Sequence, residues 1–172
     1  DGVVEVYDSR FRWVTNFTDP NMESGYAPFG IQAVGQRIFV TYAKQDEEHE
    51  DDVAGPGNGF VDVFLPNGHL LHRLISHGAL NSPWGVAKAP AHFGDFRNLL
   101  LIGNFGDGTI NAYRMNGDFV GTMTNEDGEP MIIDGLWALM FGNGVLSDKS
   151  DLYFTAGPED ETHGVFGEIE AD

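Results

Sequence analysis

Five carboxylates, one asparagine and one histidine are the residues of this chain whose types and spacing could do chemistry. His163 follows Glu161 by two residues in Gly157-Pro158-Glu159-Asp160-Glu161-Thr162-His163-Gly164. A histidine held by a carboxylate can act as a general base, so Glu161 and His163 are the catalytic candidates. Asp46, Asp51 and Asp52 share a loop rich in Gly and Pro (residues 44–58), and Asn104 and Asp107 stand in a second turn. An oxygen-rich set of this kind suits Ca²⁺, a hard ion taking roughly six to eight oxygen ligands. These five residues form the expected metal set, with Glu161 as a further contributor. No EF-hand loop is present, and acidic loops also serve plain solvation. No nucleophile stands at catalytic spacing from a base. Two classes of function follow: a binding module with an acidic, Ca²⁺-holding loop face, or a metal-dependent hydrolase or lyase in which His163 moves the proton.

Those residues are positioned by a repeat. Gly2-Val-Val-Glu-Val-Tyr, Gly59-Phe-Val-Asp-Val-Phe, Gly108-Thr-Ile-Asn-Ala-Tyr and Gly164-Val-Phe-Gly-Glu-Ile open four copies whose glycines are 57, 49 and 56 residues apart. Within each of the first three copies a Pro-aromatic-Gly-apolar station, or its variant, follows: Pro28-Phe29-Gly30-Ile31, Pro83-Trp84-Gly85-Val86 and Leu136-Trp137-Ala138-Leu139. The spacing fits a four-stranded antiparallel unit with its loops. Val4/Val6, Val61/Val63 and Ile110/Ala112 alternate with polar neighbours, the pattern of half-exposed strands. Leu99 to Ile102 is continuously apolar, as in a strand covered on both faces. Pro66-Asn67-Gly68 and Asn116-Gly117 are turn signals. The expected fold is all-β: one β-propeller segment, residues 1–172, of three four-stranded blades, half of a six-bladed ring. Its sequence units are 2–58, 59–107 and 108–163, followed by a final strand at 164–169. Phe29, Trp84 and Trp137 occupy equivalent positions and are expected in the core or lining the channel.

Charge narrows the partners. The formal net charge of −18 repels phosphate backbones and anionic membrane surfaces. No apolar run reaches the roughly 18 residues of a spanning helix, so neither nucleic acid nor membrane insertion is expected. Without cysteine there is no disulfide or thiolate chemistry. On a meander topology, residues 17–27, 44–58, 76–83, 104–108, 124–135 and 157–164 all emerge on one face. They hold 16 of the 27 acidic residues and one base, Lys44.

Pro83-Trp84-Gly85-Val86-Ala87, Leu101-Ile102-Gly103-Asn104-Phe105-Gly106 and Ile110-Asn111-Ala112-Tyr113 with Asn116-Gly117 resemble an NHL-type repeat. More widely, Val40-Thr41-Tyr42-Ala43-Lys44-Gln45-Asp46, the stretch Asp51 to Phe64, Gly103 to Gly108, Ile133 to Trp137 and Tyr153 to Pro158 with His163-Gly164 resemble the C-terminal half of a family of uncharacterised propeller proteins. Members of that family are mostly bacterial and often secreted, some with a PEP-CTERM tail. The resemblance implies an extracellular or periplasmic location and an N-terminal half outside this chain. Lactonase propellers similar to regucalcin carry a metal-binding asparagine at the Pro-x-Gly station, where this chain has Phe29, Trp84 and Trp137. Three stacked sheets would leave open faces, so the expected partner is a second half-propeller: another copy, or the N-terminal half of a cleaved precursor. The abrupt start at a strand reads as a processed or trimmed N-terminus, and the first and last strands are expected to stay single until the ring closes.

Overall fold

The computed structural model describes residues 2–171; Asp1 and Asp172, the ends of the expected 1–172 segment, lie outside the described residues. The chain is all-β. Its strands are β1 (Val4–Tyr7), β2 (Trp13–Phe17), β3 (Tyr26–Val34), β4 (Arg37–Lys44), β5 (Phe60–Phe64), β6 (Leu70–Ser76), β7 (Pro83–Lys88), β8 (Leu100–Asn104), β9 (Ile110–Tyr113), β10 (Phe119–Thr122), β11 (Leu136–Phe141), β12 (Leu152–Ala156) and β13 (Val165–Ile169). They form four antiparallel meanders: a hairpin β1-β2, two complete sheets β3-β4-β5-β6 and β7-β8-β9-β10, and a three-stranded sheet β11-β12-β13.

The described residues therefore hold two four-stranded sheets, not three. The remaining five strands are divided between the hairpin and the three-stranded sheet. The sequence units begin at a different point from the sheets: each opens on the strand that is third in its sheet, β5 at Gly59 and β9 at Gly108. The first and last strands are not single either. Val4 pairs with Phe17 across the hairpin and Ala156 with Val165 across the last sheet. Trp13-Val14-Thr15-Asn16-Phe17 makes the hairpin possible, because its aromatic and β-branched residues favour a pleated, half-buried strand.

The sheets stack face to face. Val4, Val6 and Phe17 of the hairpin pack on Val40, Tyr42, Phe60 and Phe64. Phe39, Val61 and Val63 meet Val86, Leu100, Ile102 and Tyr113 between the two complete sheets. Ala87, Leu101, Ile110 and Ala112 meet Leu136, Leu139 and Leu152 beyond. Each fully buried large side chain in these layers contributes about 1.5–3 kcal/mol relative to exposure. Because both faces of the complete sheets are covered, β5 and β9 are buried at every residue. This corrects the half-exposed reading of their alternation: Asp62 and Asn111, the polar residues between the apolar ones, are as hidden as their neighbours.

The first strands of successive sheets, β3, β7 and β11, lie against one another. A Cβ on Gly30 would strike the Trp84 carbonyl oxygen, and one on Gly85 would lie 2.7 Å from that of Trp137. The glycine of the Pro-aromatic-Gly station is thus fixed by backbone-to-backbone proximity. The turn signals also fall where a hairpin needs them: Gly68 (φ 86°) joins β5 to β6 and Gly117 (φ 93°) joins β9 to β10.

Candidate functional site: the acidic loop face

In an antiparallel meander, alternate connections emerge at the same end. One end here collects residues 18–25, 45–59, 77–82, 105–109, 123–135 and 157–164. Main-chain bonds sew these loops together: Gln45 N–H to Gly25 O (2.8 Å), Gly57 to Leu80 (2.8 Å), Ser82 to Asn58 (2.9 Å), Gly106 to Asn81 (3.1 Å), Ile133 to Gly108 (2.9 Å) and Gly157 to Gly135 (2.9 Å). The 16 carboxylates expected on one face all fall on this end. The opposite end carries seven of the nine basic residues, Arg10, Arg12, Arg37, Lys88, Arg97, Arg114 and Lys149, against six carboxylates among the described residues, Asp8, Asp95, Asp118, Asp148, Asp151 and Glu170.

Within the acidic face the expected metal set divides. Glu50, Asp51 and Asp52 line a cleft of about 180 Å³ with Phe29, Lys44 and Gln45. The Asp46 carboxylate accepts the Glu50 N–H at 3.0 Å, closing its own loop. Asp107 is committed elsewhere: it accepts the Thr109 N–H and hydroxyl (3.1 and 2.7 Å) and the Asn81 amide (3.0 Å). Asn104 is buried and donates to Ala79 O at 2.8 Å and Thr109 Oγ1 at 3.2 Å. Asn104 and Asp107 therefore fasten a turn. Among the described residues no group of three or more His, Asp or Glu is close enough to hold a metal ion.

The catalytic pair separates too. Glu161 accepts the Trp137 indole N–H at 3.0 Å, while His163 Nε2 lies 3.4 Å from Glu159. The cause is local: Glu159, Asp160 and Glu161 all have positive φ (55°, 51° and 61°), a left-handed turn that swings Glu161 toward β11. His163 is two-thirds exposed, with nothing to exclude water or orient its ring beyond that one carboxylate. Phe29, Trp84 and Trp137 are half-buried on the first strands of their sheets. Phe29 meets Trp84 edge-on at 4.6 Å between ring centroids and Phe105 at 5.9 Å.

The most developed polar cluster is one that sequence reasoning misses. Arg73 on β6 donates to Asp62 (3.2 Å), Glu23 (3.0 Å) and Asp19 (2.5 Å), with its guanidinium 3.7 Å from the centre of the Phe60 ring. His77 completes it: Nδ1 lies 2.7 Å from Gly57 O and Nε2 lies 3.3 Å from Glu23. Asp62 has one oxygen without a protein donor. Its pKa is pushed up to about 6, chiefly by burial, with Arg73 opposing and the Asp19 carboxylate adding to the rise. The same cross-strand station holds Asn111 and Thr122 in the next sheet, joined by a 2.6 Å hydrogen bond. A polar pair between third and fourth strands, buried on its third-strand side, is thus built into both complete sheets, charged in one and neutral in the other. Asp62 in an apolar run, with an arginine 11 residues later, was the available signal.

The sign of the Asp62 effect can be worked out. An unfolded chain loses this proton near the ordinary value of 3.8, and the folded protein holds it until about 6. Between those values the folded state binds more protons, so stability falls as pH rises through the window. Urea midpoints are expected to drop from about pH 4 to about pH 6.5, and Asp62→Asn to flatten that slope. Relief of general charge repulsion affects both proteins alike, so equal slopes would refute the assignment.

No family model matches the chain. It is 34% identical over 173 residues to one uncharacterised protein of Acanthamoeba polyphaga mimivirus, covering 96% of this chain and 42% of that one. A second from the same virus is 33% identical over 176 residues, covering 98% and 46%. The chain thus spans less than half the length of these relatives. Among solved structures, a protein of unknown function from Bacteroides caccae superposes with a TM-score of 0.56 at 9% identity, over 99% of this chain and 54% of that one. The likeness extends to fold alone.

Proposed function

We propose that this chain is an arc of a β-propeller acting as a binding scaffold, with the acidic loop face as its docking surface for a cationic partner. The observation that carries the reading is the gathering of 16 carboxylates on loops bonded to one another; Arg73 holds two of them, Asp19 and Glu23, and Lys44 stands at the margin of the rest. Rigid scaffolds that present loops at one end are suited to recognition. The preferred ligand is a lysine- and arginine-rich protein segment. Ca²⁺ is the narrower version; because no three carboxylates of the described residues converge, it would have to draw on main-chain and amide oxygens of the 44–58 loop as well. Catalysis by His163 is not favoured, since Glu161 is engaged by Trp137.

Titrating the protein with a fluorescent Lys/Arg-rich peptide tests this. Affinity is expected to fall steeply as salt rises from about 50 to about 200 mM, as screening of exposed charge requires, and to fall several-fold in Glu50→Gln/Asp51→Asn/Asp52→Asn. Equal binding of an acidic peptide, or no effect of the triple change, would sink the proposal. A chelator-reversible rise in melting temperature with Ca²⁺, unmatched by peptide binding, would replace the partner with the ion.

A further inference from the structure

The sheets use their two faces in a fixed way, and the last one leaves a face open. On the complete sheets the side turned toward the next sheet carries Phe39 and Val63 in one cross-strand row and Ala87, Leu101 and Ala112 in its counterpart. All are 5% exposed or less. The corresponding row on the last sheet is Met140, Tyr153 and Glu168, with Phe166 in the place of Val61 and Ile110. Met140 is 66% and Phe166 71% exposed, and with Tyr153, Phe141 and Leu146 they line an apolar groove of about 340 Å³. The two complete sheets also have a fourth strand, β6 or β10, beside the third; the outer edge of β13 has none.

We infer that this face and edge receive the outer strand and then the next meander sheet of a larger ring, carried by polypeptide other than these 172 residues and not by a second copy. Strand places decide against the copy. β11, β12 and β13 fill the first three places of a sheet. β1 and β2 fill the third and fourth, since Glu5 opposes Asn16 as Asp62 opposes Arg73. Joining the end of one copy to the start of another would put five strands into four places, with β1 and β13 competing for one. The other open end has the complementary lack. Ile31 on β3 is 52% exposed where Val86 and Leu139, its equivalents, are 2% exposed, because the hairpin supplies no first or second strand to cover it. More than half of each mimivirus relative lies outside the matched region, ample chain for the missing strands.

The inference rests on the propeller reading but not on the acidic face, so failure of the peptide titration leaves it standing. Its test mixes the 172-residue chain with the unmatched part of the 34%-identical mimivirus relative, produced as a separate chain. A one-to-one complex is expected, in which Val165–Ile169 amides exchange as slowly as those of β5 and β9. Met140→Glu/Phe166→Glu should weaken it at least tenfold with unchanged circular dichroism, since both side chains are exposed. A discrete dimer of the chain alone with β13 protected would overturn the inference in favour of a second copy. Absence of a complex, or one indifferent to the double change, would overturn it as well.

Discussion

Replacing Arg73 with methionine is expected to destabilise the protein by about 3–5 kcal/mol, because it leaves the Asp62 carboxylate buried without its counter-charge. The loss is larger than an exposed ion pair would give, for which about 0–1 kcal/mol is usual. Three carboxylates share this guanidinium, and its flat face covers Phe60. Arg73→Lys should recover only part, since an ammonium cannot present the forked donors that reach Asp19, Glu23 and Asp62 together. Asp62→Asn/Arg73→Met should recover more, because it removes the stranded charge along with its partner. At roughly 2–4 °C per kcal/mol for a chain of this size, the single change lowers the melting temperature by at least about 6 °C. Urea unfolding of the four proteins at pH 7.5 measures it. A loss under about 1 kcal/mol for Arg73→Met would show that the cluster is solvated and ordinary.

The second large effect is expected at Gly30. Alanine there would drive its Cβ into the Trp84 carbonyl and to 2.8 Å from the Thr41 hydroxyl, which itself bonds Gly30 O. Overpacking costs about 1–3 kcal/mol when side chains can shift, and main chain of a neighbouring strand gives less readily. The loss should therefore reach the upper end of that range. Gly121→Ala is the control: on β10 an added methyl group would meet nothing within 4 Å, and the change should be nearly neutral. Denaturant midpoints of the two variants give the comparison, and similar values for both would mean that the sheets have slack at their first strands.

The face on which the acidic residues gather was legible because it needs only strand order. Once Val61/Val63, the Leu99–Ile102 run and the turns at Gly68 and Gly117 are placed, antiparallel connection dictates which loops share an end. The site within that face was not legible. Glu161 and His163 are close in sequence, and the left-handed turn that parts them leaves no compositional trace. Asp107 has the chemistry of a free ligand, yet Thr109 and Asn81 consume its oxygens. The Arg73 cluster joins residues as far as 54 positions apart, through sheet packing that no local pattern reports. Alternation misleads at β5 and β9 for a related reason: it shows that one face is apolar, not that the polar face is dry. A repeat anchored on third strands leaves the fourth to be implied, and Trp13–Phe17 is passed over for that reason.

The division of charge between the two ends gives the protein a permanent dipole along the direction in which its first strands run. Sixteen carboxylates crowd one pole, while at the other seven basic side chains face six acidic ones. An approaching cationic body exerts a torque on such an object before it touches it, turning the acidic pole forward while still about a Debye length away, about 8–10 Å at ordinary ionic strength. Encounters would begin already oriented, and the angular search that slows most protein associations would be shortened. For a cationic partner of the kind proposed, this distribution of charge would act on the rate of encounter as well as on affinity.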